Sequence, residues 1–214
     1  NAPPRDRRFA AREGEEIRYR EEGEEDRESA LTRAAILVPG FGGGAEQPIL
    51  RRVSIALAEH GIAARAIEFS TRGSRPSKEY LREIGELRAA RDALSAEGAT
   101  RIALVGRSFG GRICAFLAET EPPDALVILG HPISPPGRPR PRDEAALAAV
   151  RCPTLVVQGD RDELGPLDVL ERIAAANPLI ELVVVPRTGH GLGAQAGEAL
   201  SHAAGWIAEK LGPA

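Results

Sequence analysis

Arg101-Ile102-Ala103-Leu104-Val105-Gly106-Arg107-Ser108-Phe109-Gly110-Gly111 decides how the rest of the chain is read. An apolar run ends in Gly-x-Ser-x-Gly, and the residues that follow, 109–119, have the length and apolar content of a helix. Strand, Gly-x-Ser-x-Gly and helix in that order form the context in which a serine is presented on a sharp, strained turn. Small residues are required at Gly106 and Gly110 because side chains there would collide with neighbouring elements. A hydroxyl is a weak nucleophile at neutral pH, so it needs an adjacent base, and the base needs a third group to orient it.

The same strand pattern recurs on both sides of this stretch. Short runs rich in Val, Ile and Leu occur at 34–38, 62–69, 101–105, 125–129, 154–158 and 180–185. Runs bounded by Gly or Pro in this way read as strands buried on both faces. Between them lie amphipathic segments. Ile49, Val53, Ala56 and Leu57 share one helical face closed by His60-Gly61, and Tyr80, Ile84, Leu87, Ala90, Arg91 and Leu94 mark a second helix. Residues 109–119, 166–176 and 195–211 supply three more. The alternation implies an α/β fold, a mostly parallel sheet with helices on both faces as a three-layer sandwich. Ligands of such sheets bind beyond the carboxyl ends of the strands. The proline-rich stretch from His131 to Arg142 reads as a stiff loop, too short for a cap domain.

Two further catalytic residue types follow strands at that same edge. Gln158-Gly159-Asp160-Arg161-Asp162 follows the run at 154–158, and Pro186-Arg187-Thr188-Gly189-His190-Gly191 follows the run at 180–185. Serine, acid and histidine in that chain order, each after a strand, form the constellation a serine nucleophile needs. Asp160 and Asp162 both suit the acid's place. Of the other histidines, His60 reads as a helix C-terminal residue and His202 as part of the last helix. His131 reaches the active edge after the run at 125–129, as a possible substrate-binding group.

Gly106-Arg107-Ser108-Phe109-Gly110-Gly111, Gln158-Gly159-Asp160-Arg161-Asp162 and Gly189-His190 resemble the α/β-hydrolase superfamily from about residue 34 to the end. More narrowly, the chain resembles the compact dienelactone-hydrolase-like group, whose members pair GRSFGGR with LGHPISPPGRP-type and LVVQGDRD-type segments and lack a cap domain. That resemblance implies Ser108 as nucleophile, His190 as base and Asp162, at the fourth position of Gly-x-x-Asp, as the orienting carboxylate. It also implies an oxyanion hole made by the backbone N–H groups of Phe109 and Phe41. Dienelactone hydrolases proper carry a cysteine where this chain has Ser108, so their substrate is not carried over. The expected activity is carboxylesterase-like, on a small ester or acyl substrate, without metal or cofactor. Arg72, Arg75 and Arg107 are further candidates for binding an anionic substrate group.

Gly40-Phe41-Gly42-Gly43-Gly44-Ala45 also satisfies the G-x-G-x-x-[GA] fingerprint of a dinucleotide-binding turn, with Glu68 near the place of a ribose-binding acid. That alternative leaves Ser108, Asp162 and His190 without a task. A second alternative keeps the fold as a binding or scaffold module with little activity.

Composition sets the remaining bounds. The 214 residues suit one domain over 31–214, with residues 1–30 as a polar segment in which 8–12 and 16–20 pair as a hairpin. Net charge is −3, which creates no general attraction for nucleic acid or an anionic membrane. No apolar stretch reaches the length of a membrane span. The chain opens at Asn1, which reads as a trimmed start, and its polar beginning lacks a signal-peptide pattern. A cytoplasmic location is therefore expected. Cys114 and Cys152 have no metal-site spacing and read as core thiols.

Overall fold

A computed structural model describes residues 32–213; the expected hairpin across 8–20 lies outside the described residues. Six strands form one sheet: β1 (Arg33–Val38), β2 (Ala63–Ala66), β3 (Arg101–Arg107), β4 (Ala125–Leu129), β5 (Thr154–Gly159) and β6 (Ile180–Val185). Their order is β2-β1-β3-β4-β5-β6 and every pairing is parallel. After β1 the chain moves to one side to form β2, then crosses back to place β3 on the other side. The loops after β1 and β3 therefore flank the point where strand order reverses, the usual crevice for ligands in an open parallel sheet.

Side chains alternate between two cores, as the pleat requires. Ala34, Ile36, Leu104, Ile128 and Val156 face a layer built by α2 (Leu81–Ala96), α3 (Phe109–Ala118), α4 (Pro141–Ala148) and α5 (Leu167–Ala176). Ala35, Leu37, Val105, Val127 and Val157 face α1 (Pro48–Ala58) and α6 (Gly197–Leu211). Central strands buried on both faces explain why their sequences are continuous apolar runs. Both cysteines are buried free thiols, and burial pushes both pKa values up.

Two segments depart from the sequence reading. The apolar run at 62–69 stays in the sheet only for Ala63–Ala66. Ile67 N–H still reaches Leu37 O at 3.0 Å, but Phe69 then turns into the core to meet Phe109 edge-on at 5.8 Å. The proline-rich stretch is a loop only to Arg140, because Pro141 opens α4. Proline at the first helical position lacks only a donor that would be unbonded there, and Asp143 and Glu144 suit the positive end of the helix.

The turn from β3 into α3 is where the backbone is most tightly confined. A Cβ on Gly106 would lie 2.4 Å from the Gly111 backbone, and one on Gly110 would lie 2.4 Å from Val38 O. Another polar oddity sits nearby: His131 is fully buried, and neither ring nitrogen has a hydrogen-bond partner. Burial pushes its pKa down to about 3, with the Arg112 and Arg140 charges adding to the effect.

Gly110→Ala has no flexible neighbour to displace, so it is expected to cost at least about 1–3 kcal/mol, roughly 2–12 °C in Tm for a chain of this size. Thermal unfolding followed by circular dichroism checks this. His131 carries a pH signature as well. Its folded pKa lies below its unfolded value, so the unfolded chain binds the extra proton as pH falls from about 6.5 towards about 3. Stability is thus lost on acidification, by up to about 1.4 kcal/mol per pH unit from this group. Urea unfolding at pH 7.5 and 5.0 should show a smaller acid loss for His131→Leu than for the natural chain; equal losses would contradict this account.

Candidate active site

Ser108 sits between β3 and α3 with φ 50° and ψ −111°, a conformation that L residues rarely adopt. The glycine contacts on either side hold it there. Its Oγ lies 2.7 Å from His190 Nε2, and His190 Nδ1 lies 2.8 Å from Asp162 Oδ2. A carboxylate only accepts, so the imidazole proton belongs on Nδ1 and leaves Nε2 to accept from the serine hydroxyl. The Asp162 side chain is fully buried, whereas the His190 side chain is about a quarter exposed, at 26%. The arrangement can shift a proton from Ser108 to His190 while the buried carboxylate stabilises the positive charge that forms on the ring.

The two acids that compete in sequence occupy different places. Asp160 Oδ1 accepts from Thr188 N–H at 3.1 Å and so secures the loop that carries His190. Bonds from the Arg187 and Thr188 backbone hold its carboxyl below the usual range. Asp162 instead points inward. Its Oδ1 accepts from Leu164 N–H at 2.9 Å, and its Oδ2 accepts from Gln158 Nε2 at 2.8 Å as well as from His190.

Gln158 was not singled out by sequence reasoning, yet it organises this region. Fully buried at the end of β5, it donates from Nε2 to Asp162 and to Gly165 O at 2.9 Å, while Oε1 accepts from His131 N–H at 2.7 Å. The legible signal was a polar residue inside an otherwise apolar strand, since buried amides must be bonded.

Arg107, expected to face substrate, does not line the pocket but lies against the His190 loop, with Nη1 3.4 Å from His190 Nε2. Its Nη2 donates to His190 O at 2.6 Å and its Nη1 to Leu129 O at 3.0 Å, so it ties the His190 loop to the end of β4. Burial lowers its pKa, and the Asp162 charge partly offsets this. His131, also expected at the pocket, offers it no polar group, although Pro132 lines it. Arg72 is taken up by Glu68 at 2.7 Å and Glu46 at 3.1 Å. Arg75 lines a separate cleft of about 540 Å³ that shares Pro76 and Tyr80 with the pocket at Ser108. His60 and His202 are exposed and distant in the fold, on the α1 and α6 side.

The glycine loop after β1 folds around a side chain of its own. Gly40 N–H donates to Gln47 Oε1 at 2.9 Å, and a Cβ on Gly43 would fall 1.7 Å from Gln47 Nε2. The concavity in which a pyrophosphate would lie is filled by that amide, and Glu68 is engaged by Arg72. Phe41 projects from the loop, 64% exposed, with its ring edge-on to Phe109 at 6.1 Å. Phe109 opens α3, whose first turn bonds from Arg112 N–H to Ser108 O, so the Phe109 N–H is one of the donors a helix start leaves free.

Comparison with known proteins agrees with this architecture. Residues 32–209 match the family described as alpha/beta hydrolase domain. A protein of Mycobacterium tuberculosis described as uncharacterized is 33% identical over 165 residues, 65% of this chain, and the match spans 57% of that relative's length. Among solved structures, Est1E from Butyrivibrio proteoclasticus, with ferulic acid bound, superposes with a TM-score of 0.70 at 19% identity, covering 84% of this chain and 89% of that one. A serine hydrolase without a lid from Xanthomonas campestris gives a TM-score of 0.70 at 24% identity, with 86% and 84% covered. Sequence match, strand order and shared fold lead to one conclusion: the chain belongs to the alpha/beta hydrolase domain family.

Proposed function

We propose that the chain is a serine hydrolase that cleaves an ester-like or other acyl bond of a small substrate through an acyl-enzyme on Ser108. The observation that carries this reading is the unbroken series from Ser108 Oγ through His190 to Asp162, at 2.7 and 2.8 Å, on a serine held at positive φ. Strain of this kind persists only where surrounding packing enforces it.

Ser108 Oγ attacks the substrate carbonyl as its proton passes to His190 Nε2. The carbonyl oxygen becomes an oxyanion, held by the N–H groups of Phe109 and Phe41. As the tetrahedral adduct collapses, His190 returns the proton to the leaving group, and the acyl group stays on Ser108. Water then repeats the sequence, with His190 as base, and releases the acid. Asp162 keeps the imidazole in the required tautomer and stabilises its charged form. Each oxyanion donor in such a site contributes about 2.7–4 kcal/mol to the transition state. Arg107 and Gln158 support the series, the first from the His190 backbone with Nη1 also 3.4 Å from His190 Nε2, the second from the Asp162 carboxylate.

A fluorophosphonate probe is expected to label the natural chain and not Ser108→Ala. Asp162→Asn, which preserves shape but not the tautomer, is expected to lower kcat by roughly 10⁴-fold on any ester that is turned over. Equal labelling of Ser108→Ala and the natural chain would refute the assignment, as would unchanged turnover by Asp162→Asn.

A further inference from the structure

The pocket at Ser108 has a chemical bias beyond the nucleophile. It offers about 240 Å³, and among the described residues the only charged side chains lining it are Arg112 and Arg140, with no acid among them. Arg112 is neutralised where it stands. Its Nε and Nη2 engage the buried Asp143 carboxylate, Nη2 also donates to the Tyr80 hydroxyl at 2.9 Å, and its guanidinium lies over the Tyr80 ring at 4.9 Å.

Arg140 has no such partner. It precedes α4, and Nη1 donates to Pro132 O at 2.7 Å, which fixes the side chain without cancelling its charge. Among the described residues it forms no ion pair, unlike Arg72 at the neighbouring crevice, which has two. Asp143 attracts it but already serves Arg112, while Arg112 and Arg138 repel it. Partial burial and these cations lower its pKa, yet a guanidinium stays charged at neutral pH. The result is one uncompensated, partly desolvated cation in the same small pocket as the serine.

We infer that the pocket selects short acyl groups that end in a carboxylate, with Arg140 as the anion's partner and the Arg112–Tyr80 pair as the wall that holds it. Hemi-esters of small dicarboxylic acids are the substrate class. The inference rests on the serine-hydrolase reading for its chemistry but not for its binding. The space beside Ser108, about 240 Å³, accommodates a short acyl group within reach of Arg140. Chemistry sets the end group, because a guanidinium fork pairs with a carboxylate through two parallel hydrogen bonds.

The test compares kcat/KM for two esters of matched acyl length, 4-nitrophenyl hydrogen glutarate and 4-nitrophenyl pentanoate, in the natural chain, Arg140→Gln and Arg140→Lys. Their ratio is the readout, since a misfolded fraction lowers both rates equally. The natural chain is expected to favour the anionic ester about 10-fold or more. Arg140→Gln should reduce the ratio roughly 10- to 100-fold, the range for a charge-assisted hydrogen bond, and Arg140→Lys should fall between. Turnover through Ser108 with no preference for the anionic ester, or with a ratio unchanged in Arg140→Gln, overturns the inference and leaves the hydrolase reading intact. Where neither ester is turned over and Ser108 is not labelled, the hydrolase reading fails alone, and glutarate is the probe. A glutarate-dependent rise in Tm that Arg140→Gln abolishes supports the anion site, and no rise overturns it.

Discussion

Everything at the site depends on how closely two backbones approach at the β3–α3 turn. Gly106 packs on Gly111, Gly110 on the Val38 and Pro39 carbonyls at the end of β1, and Gly111 on Ile128 of β4. With no Cβ at any of the three, α3 can begin directly over the ends of two strands. The chain can make that descent only if the residue between takes a positive φ, and that residue is Ser108. One steric constraint thus raises the hydroxyl above the sheet and leaves the first N–H of α3 unbonded beside it. The serine's exposure and the free donor are two consequences of the same packing.

The histidine is positioned by a different kind of force. The loop from Pro186 to Gly193 has no secondary structure of its own, so its shape is set by hydrogen bonds. Asp160 takes the Thr188 N–H, Arg161 N–H donates to Thr188 O at 2.9 Å, and Arg107 grips His190 O. Two neighbouring residues of the same turn therefore hold His190, Arg107 chiefly by its backbone and Ser108 by its ring, with Arg107 Nη1 also 3.4 Å from Nε2. On the acid side, Gln158 ties Asp162 to the 131 and 165 backbones. A buried network in which every member is bonded is stiff, and a member lost leaves others unpaired at low dielectric. Turns held by sterics and loops held by buried polar bonds are thereby set to a common geometry.

Most of the architecture could be read from the sequence because it is encoded locally. Buried parallel strands write themselves as apolar runs, and the serine turn writes itself as glycines at fixed spacing. What could not be read depends on contacts between distant segments. Ile67 and Phe69 flank Glu68 in the alternation of a half-buried strand, but Phe69 turns inward to Phe109, forty residues away. Asp160 and Asp162 differ by two positions and are equivalent on a linear chain; their roles separate only once Thr188 and Gln158 are in place. The arginines were hardest. An Arg has the same letter whether it faces a carboxylate, a carbonyl or open space, so Arg107 looked like a substrate group and Arg140 looked like part of a stiff loop. Its partner is the information, and the sequence does not state it.

The glycine loop after β1 shows the same limit from the other side. Gly40–Ala45 has the letters of a phosphate cradle because glycine lets backbone N–H groups converge on something. What they converge on is set two residues beyond the pattern, where Gln47 folds back and its amide takes the Gly40 N–H. A polar side chain fills the concavity and accepts the Gly40 N–H, so the loop is braced by its own chain. In the proposed reaction this bracing matters, since an oxyanion donor that must reorganise loses much of its advantage. With its interior satisfied by Gln47, the loop can hold Phe41 fixed at the mouth of the pocket, its ring against that of the residue following the serine. The glycines serve the Ser108 edge by being filled from within.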